Sequence, residues 1–240
     1  MSRIIVTGGL GFIGSEFVNY VMKNTNHEVV VLDKMTYAAN IDNIKQPFHL
    51  IKKDICEVTQ DDLGDYDYIV NFAAETHVDN SILNGRPFVE TNVMGTFNLL
   101  ELARKNSKLK KFLQISTDEV YGSIEAGSWT EEWPLLPNSP YSASKAGGEL
   151  LARSYNKTHG LDVVITRCSN NYGPFHFPEK LIPLFVTNLL EGKKIPVYGS
   201  GMNVRDWLHV DDHCRGIHAV LMHGRAGEIY NIGEGNHVLS

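Results

Sequence analysis

The span Ser116-Thr117-Asp118-Glu119-Val120-Tyr121-Gly122, followed by Tyr141-Ser142-Ala143-Ser144-Lys145, places a hydroxyl, two adjacent carboxyls and a Tyr/Lys pair in one short stretch. Taking a hydride from a sugar alcohol requires a base for the hydroxyl proton. Expelling water from the same sugar requires a carboxylate for a C–H proton and an acid for the leaving oxygen. All these group types are present. Tyr141 and Lys145 are four apart, so a helix projects both from one face. An ammonium beside a phenol favours phenolate and makes tyrosine a usable base near neutral pH. In isolation the spacing fits an exposed tyrosine beside a solvated lysine; a nucleotide-binding motif and a hydroxyl-bearing strand end in the same chain favour chemistry. Successive strand residues face opposite sides, so Asp118 and Glu119 reach one sugar only if the chain turns after Ser116.

A second constellation lies at the N-terminus. Gly8-Gly9-Leu10-Gly11-Phe12-Ile13-Gly14 joins the first apolar run to a helix-like one. Glycines at 8, 11 and 14 permit a tight turn and bring backbone N–H groups and a helix N-terminus toward a pyrophosphate. Asp33 closes the next apolar run, where a carboxylate accepts hydrogen bonds from a ribose and repels a 2′-phosphate. NAD is therefore expected over NADP, with the neighbouring Lys34 the one contrary charge. Asp54-Ile55, closing the third run, either brackets the adenine or forms a strand-end turn. Phe72-Ala73-Ala74 ends the fourth with small residues suited to backbone lying along a dinucleotide.

Several elements must position these groups. Apolar runs rich in β-branched residues recur at 3–7, 28–33, 49–52, 67–72, 111–116 and 162–167, with helix-like stretches between most of them and the longest at 88–106 and 141–158. This alternation predicts an α/β class with a doubly wound, Rossmann-like parallel sheet. Continuous hydrophobicity in Val29-Val30-Val31-Leu32 fits strands buried on both faces. Beyond Tyr172, Gly173-Pro174, Phe177-Pro178, Ile182-Pro183 and Ile195-Pro196 break the alternation, and a smaller lobe is expected to begin there. Lys108-Leu109-Lys110-Lys111 reads as a solvated turn.

Bulk properties narrow the class. The 240 residues are 42% hydrophobic and 21% charged, as in an ordinary globular protein, and a net charge of −6 offers no field for a nucleic-acid backbone. Three cysteines without C-x-x-C spacing argue against a disulfide framework and for the cytosol. Neither an export signal nor a membrane span is read. His209 and His213 flank Asp211 and Asp212, but without an H-E-x-x-H glutamate they read as a helix start capped by Asp rather than a metal site.

Further motifs extend the pattern: Thr7-Gly8-Gly9, Asp33-Lys34-Met35-Thr36-Tyr37, Phe72-Ala73-Ala74-Glu75-Thr76-His77-Val78-Asp79, Arg167-Cys168-Ser169-Asn170-Asn171-Tyr172-Gly173-Pro174, Phe177-Pro178-Glu179-Lys180-Leu181-Ile182-Pro183 and Val204-Arg205-Asp206-Trp207. Together with the Asp118-Glu119 pair, they resemble the extended short-chain dehydrogenases/reductases (the NAD-dependent epimerase/dehydratase family), and within these the dTDP-glucose 4,6-dehydratases. Nucleotide-sugar 4-epimerases lack the adjacent carboxyls. The resemblance implies Tyr141 as the base at the C4 hydroxyl, Thr117 beside the C4 oxygen, Glu119 as the base at C5, Asp118 as the acid at C6 and Lys145 on the nicotinamide ribose. It adds Thr36, Thr76, Thr91 and Asn170 to the cofactor contacts, and His77 and Ser81 to the sugar side. Asn171, Lys180, Leu181, Pro196, Val197, Tyr198 and Arg205 would meet the nucleotide diphosphate, a surface ion pair with Asp206 being the other reading of Arg205. Residues 1–170, rejoined by 208–233, would form the NAD-binding domain; 171–207 and 234–240 would be part of a truncated nucleotide-sugar lobe. A homodimer through helices 88–106 and 141–158 is implied by analogy. A UDP-glucose dehydratase, a 4-epimerase and a non-catalytic nucleotide-binding protein are the alternatives.

Overall fold

Strands that are apolar on both sides must be covered on both sides, and that requirement shapes the computed structural model, which describes residues 1–125, 127–197 and 201–235 and the backbone of 238–239. Tyr198 lies outside the described residues, as do 236, 237 and 240 of the expected lobe. The chain lays down β1 (Arg3–Thr7), α1 (Phe12–Asn24), β2 (Glu28–Asp33), β3 (His49–Lys52), α2 (Gln60–Leu63) and β4 (Tyr68–Asn71). It continues through α3 (Val78–Leu83), α4 (Arg86–Val89), α5 (Thr96–Lys105), β5 (Lys111–Thr117), α6 (Pro140–His159) and β6 (Val163–Cys168). Then come β7 (Asn170–Tyr172), α7 (Leu181–Leu190), β8 (Val204–Arg205), β9 (Trp207–His209), α8 (Val210–His223), β10 (Ile229–Ile232) and β11 (Val238–Leu239).

Seven strands form one sheet, parallel throughout, in the order β10-β6-β5-β4-β1-β2-β3. The doubly wound sheet is the one the sequence predicts. Alternate residues serve opposite faces. Ile4, Val6, Val29 and Val31 pack with Val18 and Val21 of α1 and Ile217 and Leu221 of α8, whereas Ile5, Val30 and Leu32 pack with Leu99 and Leu100 of α5 and Ala152 of α6. Each such side chain contributes about 1.5–3 kcal/mol by leaving water. Beyond β6 the segments shorten: β7 pairs with β9, and β8 with β11. Among the described residues no helix is long and apolar enough to cross a membrane.

Three local expectations change. The helix predicted over 88–106 is interrupted by a π-helical segment, Glu90–Gly95, between α4 and α5. Its Asn92 donates to Glu75 O (3.0 Å) and Ser144 Oγ (2.8 Å), and an added Cβ on Gly95 would meet Ile55 Cδ1 at 2.4 Å, so the wide turn fits the helix onto its neighbours. Lys111 is no turn residue; it is buried at the start of β5 and donates to Gly224 O at 2.5 Å. The cap of α8 is His209, whose Nδ1 accepts from Asp211 N, and not an aspartate.

His213 of α8 is fully buried, with Nδ1 2.8 Å from Asn171 Oδ1, and burial pulls its pKa from 6.5 to about 3. The fold therefore accommodates the neutral ring. Its contribution to stability is complete above about pH 6.5 and is lost as pH falls toward 3, by up to about 1.4 kcal/mol per pH unit. Urea titrations at stepped pH should show this acid loss, and His213→Gln should flatten it.

Candidate functional site

The strand order reverses direction between β1 and β4, and a crevice opens there at the carboxyl ends of the strands, the usual ligand position in such sheets. A cleft of about 450 Å³ occupies it. Gly8 sits at φ +64°, with a would-be Cβ 2.7 Å from Ala73 N; on Gly14 the added carbon would lie 2.3 Å from Gly8 O. Nothing larger than glycine fits, so the loop lies flat against β4 and the first turn of α1 stays open to the cleft, with Gly11, Phe12 and Ile13 lining it.

Asp33 also lines the cleft, but its carboxylate already works within the protein. Oδ2 accepts from Leu10 N (3.1 Å) and Oδ1 from Met35 N (2.7 Å), which ties the glycine loop to the end of β2. Burial nonetheless pushes its pKa up. Each oxygen retains a lone pair for a ribose hydroxyl. Lys34 pairs with Glu75 (3.1 Å) and Asp54 (3.6 Å) and donates to Thr91 Oγ1 (3.2 Å), so two carboxylates offset its charge. The two readings of Asp54-Ile55 divide between the residues: Ile55 lines the cleft, and Asp54 forms the strand-end turn by accepting from Cys56 N. Thr36, Ala73, Ala74, Thr76, Thr91 and Asn170 all line the cleft.

At the other end β5 stops at Thr117 and a 3-10 turn, Asp118–Tyr121, begins. Thr117 caps it, accepting from Glu119 N (3.3 Å) and donating to Asp118 Oδ1 (3.2 Å). The bend that the sequence argument requires is thus present. It brings Thr117, Asp118 and Glu119 to the same cleft as Tyr141 and Lys145. Those two lie in the first turns of α6, whose start is set by Pro140 and a capping box between Ser139 and Ser142.

The electrostatics separate these groups. Burial, then the Glu119 charge, lifts Asp118 to about 6, while Glu119 is raised by burial and opposed by Arg205 and Lys180. Tyr141 departs from the sequence argument: burial, with Glu119 next, holds its phenol well above the usual range. Lys145 does not reverse this, because its Nζ donates to Ile115 O at 2.7 Å and burial lowers it to about 8.

A segment after β7 crosses the cleft. His176 stacks on Phe12 at 4.5 Å, Tyr37 Oη donates to Glu179 Oε1 at 3.0 Å, and Lys180 Nζ donates to Thr76 O at 3.4 Å. Lys180, Leu181 and Asn171 line the cleft. His77 and Ser81 are outside its lining. His77 caps α3, and buried Ser81 accepts from Tyr141 N at 3.1 Å, which ties α3 to the start of the helix that carries the tyrosine. Pro196, Val197 and Arg205 are exposed and also outside the lining, although the Arg205 charge acts on Asp118 and Glu119. Sequence reasoning missed Ser116, Cys168, Ser169 and His176 as lining residues. The first three sit at strand ends, where position alone marks them; His176 carried no signal, since only the crossing segment brings it there. Among the described residues, Ser116 Oγ, Ser169 Oγ and His176 Nδ1 are buried without a hydrogen-bond partner, as expected of a cleft shaped for a polar ligand.

Comparison with known proteins agrees with this geometry. The model of the NAD dependent epimerase/dehydratase family matches residues 4–233. A dTDP-glucose 4,6-dehydratase of Streptomyces niveus is 54% identical over 97% of this chain and 73% of its own length. The crystal structure of DesIV, a dTDP-glucose 4,6-dehydratase from Streptomyces venezuelae with NAD bound, superposes with a TM-score of 0.93 at 53% identity, covering 99% of this chain and 77% of that one. A UDP-glucose 4-epimerase from Thermotoga maritima shares the fold at a TM-score of 0.90 but only 28% identity, over 98% of this chain and 78% of that one. On the family match and this level of identity, the chain belongs to the NAD dependent epimerase/dehydratase family.

Proposed function

We propose that this protein is an NAD-dependent hydro-lyase that converts dTDP-glucose to dTDP-4-keto-6-deoxyglucose. The observation that carries this reading is the turn Asp118–Tyr121, which aims two neighbouring carboxyls at the cleft holding Tyr141 and Lys145. An epimerase needs the second pair alone.

The glycine cradle, Asp33 and the unpartnered Ser116, Ser169 and His176 atoms suit a dinucleotide along the strand ends. Bound there, NAD supplies the two-electron acceptor that takes hydride from C4 and gives it back at C6. Tyr141 removes the C4 hydroxyl proton, with Thr117 donating to the C4 oxygen and Lys145 adding positive charge. Once C4 is a ketone the C5 proton is acidic; Glu119 takes it and returns a proton to C5 as hydride reaches C6. Asp118, raised to about 6, holds a proton more readily than an ordinary carboxyl and is the acid that gives one to the departing C6 hydroxyl. Lys180 and Arg205, whose charges act on Glu119, oppose the rise that burial causes and so favour the ionised form a base needs. The two carboxyls titrate as a coupled pair.

Residues 1–170 and 208–233 form the dinucleotide domain in this reading, and 171–207 with 234–240 belong to the sugar-nucleotide lobe. Exposed Val89, Met94 and Phe97 around α4 and α5 and Leu150 of α6 offer an apolar face to a second copy of the chain, and the protein works in the cytosol as a homodimer. Incubation with NAD and a panel of glucose nucleotides tests the reaction. The dTDP sugar should give a 4-keto-6-deoxy product that absorbs in alkali; a galactose nucleotide would favour the epimerase, preference for UDP-glucose would reassign the nucleotide, and NAD binding without product would point to a non-catalytic protein.

A further inference from the structure

We infer that Arg167 and Tyr121 are positioning residues: with buried Glu149 and exposed Asn231 they form a brace that holds the Asp118–Glu119 turn at a fixed distance from the Tyr141/Lys145 helix. The inference rests on the roles proposed above for those four groups.

The brace begins on α6. Tyr141, Lys145 and Glu149 follow one another at intervals of four, so one helix face carries the hydride-transfer pair and then a carboxylate. Glu149 is 0% exposed and takes both arms of the Arg167 guanidinium, Nε at 3.1 Å and Nη2. Arg167, on β6, is almost as deeply buried. A paired arginine in such a place costs desolvation that apolar side chains would avoid, so some other gain should accompany it. Its planar face lies 4.5 Å from the centre of the Tyr121 ring, the last residue of the catalytic turn. Trp129 stacks near-parallel on the same ring at 5.5 Å, and Tyr121 Oη donates to Asn231 Oδ1 at 2.7 Å. Asn231, on β10, donates in turn to Trp129 O and to Glu131 Oε1, while Arg167 Nη1 donates to Glu131 O. Backbone restraints complete the turn: Leu136 N donates to Val120 O, and a Cβ on Gly122 (φ +88°) would lie 2.2 Å from Leu136 O. The carboxyls therefore sit on a turn whose far end is gripped by β6, β10 and, through Glu149, the helix bearing the phenol.

The consequence is step-selective. A loosened brace displaces Asp118 and Glu119 but leaves Tyr141, Lys145 and Thr117 on α6 and β5, so water loss should suffer before C4 oxidation does. Tyr121→Leu in the full-length, NAD-loaded protein should slow water loss from dTDP-glucose about 10- to 100-fold, the usual cost of an ångström-scale misplacement, with C4 oxidation changed by less than about threefold. Reduced nicotinamide should then accumulate in its absorbance band during a single turnover, and solvent deuterium should enter C5 more slowly. Asn231→Ala, on the exposed rim of the brace, should shift both signals the same way by a smaller factor, and it decides the matter if Tyr121→Leu fails to fold. Tyr121→Phe, which keeps the ring between Trp129 and Arg167, should recover most of the lost rate. Equal slowing of both steps, or no accumulation in either variant, overturns the inference. Glu119→Gln is run alongside: absence of accumulation there, with accumulation in Tyr121→Leu, removes Glu119 from its role as base and leaves the brace standing.

Discussion

Glu119→Gln is expected to lower water loss by about 10²- to 10⁴-fold, the range for a removed general base, while the C4 carbon is still oxidised. The amide occupies the same volume and cannot take the C5 proton. Because the Glu119 charge is, after burial, the largest influence raising the Tyr141 phenol, the substitution should also lower the phenol's pKa. At any given pH more of Tyr141 would be ionised, so the pH dependence of C4 oxidation should move to lower pH. Single-turnover absorbance of reduced nicotinamide at stepped pH reads both effects, and undiminished formation of the 4-keto-6-deoxy sugar would remove Glu119 from the mechanism.

Tyr141→Phe is expected to have the opposite signature, a loss of about 10²- to 10⁴-fold at the first step, so that neither reduced nicotinamide nor product forms. The ring itself is placed by packing, edge-on to Phe88 with centroids 6.4 Å apart, and helix α6 is fixed by its own cap and by Ser81. Removing one hydroxyl should therefore leave the fold and NAD affinity intact, as equilibrium dialysis with NAD and thermal denaturation would measure. Loss of NAD binding alongside activity would show that the hydroxyl serves the cofactor and not the sugar.

The depth of the fold visible in the sequence follows from how local each cause is. The strands β1 and β2 are legible because double-faced burial leaves a continuous apolar run rich in β-branched residues, which survives in one dimension. The turn at Thr117 was legible for a different reason: two adjacent carboxyls cannot share a target on a strand. The π-helical segment was not, since the contacts that shape it come from Glu75, Ile55 and Ser144, distant in sequence. Ser81 was placed on the sugar side by resemblance alone, and only the packing of α3 against α6 reveals that it holds the Tyr141 amide. The sign of the Tyr141 shift was misjudged because spacing predicts that Lys145 is near, whereas burial and the Ile115 carbonyl, both tertiary, decide what its charge achieves.

The position of β10 at the sheet edge beyond β6 has a consequence for biosynthesis. The dinucleotide cradle draws on residues from Gly8 to His176, so it can assemble while the ribosome is still extending the chain. Tyr121 finds its Asn231 partner only after more than a hundred further residues have been added, because that partner sits on β10. A nascent protein would thus be able to grip its coenzyme before it could dehydrate a sugar, and the arrival of β10 would act as the step that arms the carboxyl turn.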